Sequence, residues 1–167
     1  MKYNISAEEF LKQDEKVQKV FLDWWKPEIG DVFSTKKVYD EIDVVIDVVG
    51  DKIWGLNITF KCCKDKKVCP YIELCEVFPL FNLQQLIDFV EDKTKGKVDL
   101  NYSYFDKGYD VFAYNDGAKF EDFKCTFKVN TEEGNLLKAI WEVACRVATK
   151  VAKEETNETN NAHTEKE

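Results

Sequence analysis

The segment that most limits how this chain can fold runs from Leu136 to Lys153. Leu136, Leu137, Ile140, Val143, Ala144, Val147 and Val151 recur at intervals of three and four, which is one face of an α-helix, and Trp141, Cys145, Ala148 and Ala152 widen that face sideways. Lys138, Glu142, Arg146, Lys150 and Lys153 remain as a narrow polar edge. A helix that apolar has to be covered on two sides. Either it lies between a sheet and another helix, or it lends its spare face to a partner subunit, which leaves a homodimer open.

The remaining elements are announced locally. Ser6 and Glu9 have the spacing of a capping box, with Ile5 and Phe10 at the staple positions, so a first helix is expected from Ala7 to about Trp25, carrying Phe10, Val17, Phe21 and Trp24 on its apolar stripe. Pro27 ends it, and Gly30-Asp31 turns the chain into a strand near Val32. From Ile42 to Val49 the period becomes two, which predicts a strand with Ile42, Val44, Ile46 and Val48 inward and Asp43, Val45, Asp47 and Val49 outward. Gly50-Asp51 is a turn, and Trp54, Leu56, Ile58 and Phe60 alternate along a returning strand. A third strand covers Tyr71 to Phe78, closed by Pro79. Asn82 and Gln85 cap a second helix with stripe Leu83, Leu86, Ile87 and Val90, which stops at Gly96. Leu100 to Val129 reads as a three-stranded meander, then comes the long apolar helix. Strands in runs with helices between them give an α+β fold, an antiparallel sheet of about five to six strands packed with three helices. Residues 1–153 are expected to form a single domain, and 154–167 a disordered acidic tail that holds no core-forming residue.

At 167 residues, 44% hydrophobic and 14% aromatic, the chain can bury a full core. Its formal charge of -8, spread along the sequence, argues against nucleic-acid phosphates or an anionic membrane surface as the main partner and favours a basic or neutral one. No leader pattern is read at the N-terminus and no apolar run reaches the roughly 20 residues that span a bilayer. A cytoplasmic protein is therefore expected, and its six cysteines are read as thiols in a reducing compartment.

No catalytic or cofactor signature stands out. Cys62, Cys63, Cys69 and Cys75 lack the short C-x2-4-C knuckles of a zinc site, and adjacent Cys62 and Cys63 point to opposite faces of a strand. His163, the one histidine, falls in the tail, so no cysteine has a basic partner for nucleophilic work. Asp99 to Asp106 resembles a calcium loop only superficially, with Tyr104 at the glycine position. Phosphate-cradling glycine loops are absent. No metal, cofactor or catalytic residue is expected. Asp43 and Asp47, with Glu41 in the same row, read as solvated residues on an outward strand face that would suit a basic partner. The aromatic stretch from Tyr102 to Phe127 reads as core plus an exposed patch for protein contact, with nucleotide stacking as the lesser option. In Phe21 to Phe33, a structural corner accounts for everything but the second indole, so Trp25 is expected at the surface as a contact residue.

Trp25-x-Pro27-x-x-Gly30-Asp31, Pro79 before Leu83-x-x-Leu86, and the closing Leu136-Leu-x-Ala-x-Trp-Glu142 together resemble a pattern in small phage- and prophage-encoded proteins of unassigned function. The resemblance implies a bacterial host cytoplasm and action by binding, including inhibition of host defence systems. It brings no catalytic residues with it. The sequence thus leads to a non-enzymatic interaction protein with Trp25, Asp43, Asp47, Tyr102 and Tyr104 as its partner-binding residues. The alternative is a protein that binds or sequesters a nucleotide between aromatic strands.

Overall fold

The computed structural model describes residues 4–35, 42–55, 72–73, 76–104, 108–115, 127–130 and 135–164. The fold is α+β, and the strand pairings among the described residues are all antiparallel. It gathers into two compact units, each drawn from separate stretches of chain: Asn4–Lys12 with Leu22–Phe81, and Met1–Tyr3 and Gln13–Phe21 with Asn82–Glu167.

The first of these is built on a five-stranded sheet. Its strands are β1 (Val32–Thr35), β2 (Ile42–Val49), β3 (Lys52–Gly55), β4 (Ile72–Glu73) and β5 (Val77–Pro79), in the order β4-β3-β2-β1-β5. Gly50, at φ 61, makes the β2–β3 turn where the sequence placed it. The strand expected over Tyr71 to Phe78 is two pieces on opposite edges: β4 joins β3 and β5 joins β1. An edge position is where Pro79, lacking an N–H, does least harm to a ladder. Helix α1 (Ala7–Leu11) has the expected capping box, with the Ser6 hydroxyl accepting from Glu9 N and the Glu9 carboxylate accepting from Ser6 N. It lays Phe10 flat on Phe78, with ring centroids 5.5 Å apart.

The long first helix of the sequence reading is in fact two. Asp14 intervenes: its carboxylate accepts from Lys16 N and its carbonyl from Gln18 N, which restarts the chain as α2 (Glu15–Trp24). An aspartate at this place competes for backbone donors as an N-cap and so divides a continuous apolar stripe.

The other unit holds α2 as far as Phe21, then α3 (Leu83–Thr94), β6 (Gly96–Ser103), β7 (Gly108–Asn115), β8 (Phe127–Asn130) and α4 (Leu136–Thr164). The three strands form the expected meander, β6-β7-β8. Asn82 and Gln85 cap α3 reciprocally. Its stop is Lys95, in the left-handed region at φ 52, rather than Gly96, which already begins β6. The apolar helix α4 packs against α3, β7 and β8, and Trp141 stacks on Phe21 at 5.1 Å. Ala139, Ile140, Val143, Ala144 and Ala148 are fully buried, so the wide face is covered within the chain.

Helix α4 continues to Thr164, where the sequence reading had ordered structure end at Lys153. Extending an existing helix adds a hydrogen bond for each residue fixed, and Lys150 reaches Glu154 one turn on at 4.0 Å. No helix among the described residues is long and apolar enough to cross a membrane.

Candidate functional site

Trp25 does not reach the surface as expected. It is 8% exposed, and its indole Nε1 donates to Asp31 Oδ2 at 2.9 Å. The same carboxylate oxygen accepts from Glu28 N at 3.0 Å. Gly30, at φ 99, turns the chain so that its N–H reaches Val45 O while Val45 N returns to Asp31 O. A buried indole needs an acceptor, and here the acceptor lies within its own motif. The whole of Trp25-x-Pro27-x-x-Gly30-Asp31 is a corner that fastens the end of α2 to β2.

Asp43 is also misplaced by the sequence reading. It is 3% exposed, and Val45 beside it on the same face is fully buried. The cause is a bulge between Val45 and Asp47. An extra residue there reverses the parity of the strand. Val45 lies opposite Gly55, and Val48 opposite Ile53, so odd residues face inward before the bulge and Val48 faces inward after it. On β3 the inner face is Ile53 and Gly55, both buried, and Trp54, expected inward, is half-buried on the other face. Asp47 is half-buried opposite Trp54, and its Oδ1 accepts from Val48 N at 2.9 Å. Asp43 makes the same turn onto Val44 N at 2.8 Å. Glu41, the third member of that row, lies outside the described residues.

The tyrosines fare differently. Tyr102, next to last in β6, is 39% exposed, and Tyr104, just beyond the strand, is 84% exposed. Their rings meet edge to face at 5.1 Å, and Tyr102 contacts Tyr109 of β7 at the same distance. Tyr109 was missed as a site residue. The signal was available in the meander, because a short turn after Tyr102 puts Tyr109 directly across the ladder, as the register has it. Farther along the same face of the sheet, Val111 and Ala113 are fully buried. The three rings therefore stand at the end of the hairpin, where that cover gives out.

A cavity of about 600 Å³ opens between the start of α2 and α4, where Lys16 and the acidic Asp14 line one side and Thr149, Lys153 and Thr156 the other. Thr149, Lys153 and Thr156 share one face of α4 by helical spacing. Among the described residues neither Lys16 nor Lys153 has a carboxylate within ion-pair distance. By contrast Lys12, Lys52, Lys95, Lys97, Arg146 and Lys150 are each matched to an acid. The aromatic strands take no part in the lining.

Cys145 is a free thiol whose pKa is pushed up to about 12, by burial first and by the charge of Glu142 second. A thiol held protonated is a poor nucleophile. Among the described residues no three His, Cys, Asp or Glu side chains gather as metal ligands. The cysteines from Cys62 to Cys75 lie outside the described residues. Comparison with protein-family models, curated proteins and solved structures finds no match to the chain.

Proposed function

We propose that this chain is a phage-type, non-enzymatic interaction protein that works by binding another protein, with inhibition of a host defence system as its role. The observation that carries the reading is the tyrosine cluster at the end of the β6–β7 hairpin. Tyr104 is 84% exposed and Tyr102 39%, and each is steadied by a neighbouring ring. Tyrosine gives a large contact area at small cost in side-chain entropy, and interface hot spots are rich in it. With a net charge of -8, the chain attracts a partner whose contact surface is basic. Trp25 and Asp43, being buried, are withdrawn from the contact surface, and Asp47 offers only part of its side chain.

The test compares the wild-type chain with Tyr102→Ala/Tyr104→Ala as baits in a lysate of the bacterial host, followed by titration of any partner retained in stoichiometric amount. The double variant is expected to bind that partner about 10- to 100-fold more weakly. Equal retention by both baits would remove the tyrosines from the interface, and the absence of any saturable partner would remove the reading.

A second reading, small-molecule binding, is favoured by the cavity between α2 and α4. Its size suits a nucleotide-like ligand, and Lys16 and Lys153 bring two positive charges to a lining that holds one acid, Asp14, with neither lysine in an ion pair among the described residues. A ligand that binds only the folded state raises the melting temperature, so a panel of adenine and cyclic nucleotides is the probe. A rise abolished by Lys16→Ala/Lys153→Ala would support this reading. No rise with any of them would end it.

A further inference from the structure

Among the described residues β6 is an edge: it pairs with β7 along its whole length from Gly96 to Ser103 and with no other strand. Eight residues is long for an edge, and an exposed row of backbone donors and acceptors is a template for another strand. In an antiparallel ladder alternate residues turn their backbone groups toward the partner strand, and those between turn them outward. Val98 and Leu100 belong to the same alternate set, and both N–H groups are taken by carboxylates: Glu91 Oε1 accepts from Val98 N at 3.0 Å, and Asp99 Oδ1 from Leu100 N at 2.9 Å. They are outward donors, each covered by a charged acceptor.

Glu91 is brought there by local design. Lys95 ends α3 in the left-handed region, so that β6 starts at once and runs back past the last turn of the helix. Lys97 Nζ lies 3.4 Å from the other Glu91 oxygen and holds the carboxylate in place. A strand added at this edge would have to put its carbonyls where these two carboxylates sit. Each of these N–H groups already has its acceptor, so an incoming carbonyl would gain no new hydrogen bond and would first have to displace a side chain.

We infer that Glu91 and Asp99 guard the β6 edge, and that the strand they exclude is β6 of a second copy of this chain. Antiparallel pairing of an edge with itself is self-complementary about a two-fold axis, so the sequence that forms the edge is also the sequence that fits it. On one face of such a pair, Val98, Leu100 and Tyr102 would extend the apolar row. This inference stands apart from the proposed function, since the tyrosines can bind a partner whether or not the edge is guarded.

The experiment is sedimentation velocity over a range of concentrations on the full chain, comparing wild type, Glu91→Ala/Asp99→Ala, and Glu91→Gln/Asp99→Asn, with far-UV circular dichroism on each. The alanine variant is expected to form a species of twice the wild-type mass, with self-association at least about tenfold tighter than wild type. The amide variant, whose side-chain oxygens still accept the two N–H groups, is expected to follow wild type. Should the double alanine change lose its fold, Asp99→Ala alone, at an exposed position, is read in the same way. A folded alanine variant that sediments like wild type would overturn the inference. So would an amide variant that associates as tightly as the alanine one, because charge repulsion, not covering of the donors, would then be the guard.

Discussion

Phe21→Ala is expected to lower the free energy of unfolding by about 3–5 kcal/mol, the usual range for emptying a large aromatic from a closed core. Phe21 is fully buried, with its ring centroid 4.4 Å from that of Phe89 and 5.1 Å from that of Trp141. One side chain of α2 therefore meets α3 and α4 together. The cavity left by alanine would be walled by two large rings that other contacts hold apart, so it would collapse only in part. Phe21→Leu keeps most of the volume and is expected to cost about 1–1.5 kcal/mol. Denaturant unfolding followed by tryptophan fluorescence measures both, the midpoint falling at unchanged slope. A loss below about 1 kcal/mol for the alanine variant would mean that α2 does not depend on this contact to hold its place.

Features set by neighbours in sequence were legible, and features set by partners far along the chain were not. The capping pairs Ser6/Glu9 and Asn82/Gln85, the limits of β2, the Gly50 turn and the stripe of α4 all follow from spacings of a few residues, and the structure has each of them. The face of β2 that turns inward is not of that kind. A bulge between Val45 and Asp47 depends on what β3 places opposite, and no period within Ile42 to Val49 announces it. Asp43 was assigned to solvent for that reason. Trp25 is a different failure, since its acceptor Asp31 stands in the same motif, and an indole six residues before an aspartate across a proline and a glycine could have been read as a closed corner. Tyr102 and Tyr104 were placed at the surface from composition, while the ring of Tyr109 that joins them required the register of β6 on β7.

The three sequence pieces from which a phage likeness was expected now have physical work assigned to them. Trp25 to Asp31 closes a corner through one carboxylate. Pro79 ends an edge strand, and Leu86 is a fully buried member of α3. In the closing helix Ala139 and Trp141 are buried, and Glu142 pairs with Arg146 one turn on. Every piece serves folding. Residues that serve the fold do not identify a function, and the contact surface has to be argued from residues outside these pieces.

The second large effect is expected at Gly55, where a methyl group should cost about 1–3 kcal/mol although alanine is ordinarily the better strand residue. Gly55 is buried opposite Val45, and its backbone lies in no strained region. The obstacle is the space above it. A Cβ built there would overlap the Asp43 carboxylate, at 2.6 Å from Cγ, and would stand 2.9 Å from Cζ of Phe33. Both neighbours are buried, and Phe33 lies directly opposite Asp43 on β1. Neither can swing away as an exposed side chain would. The glycine therefore makes room for a carboxylate inside the sheet, and the two positions should be energetically coupled. Asp43→Ala alone is expected to destabilise, since it empties the space and leaves Val44 N without its acceptor. In the Gly55→Ala background the same change removes the clash, so the double variant should be more stable than the sum of the two losses predicts, by about 1–2 kcal/mol. Denaturant unfolding of the four proteins in this cycle gives the coupling directly. Strict additivity would show that the methyl group is resisted by Phe33 alone, and Asp43 would then be a buried acid tolerated beside Gly55 without depending on it.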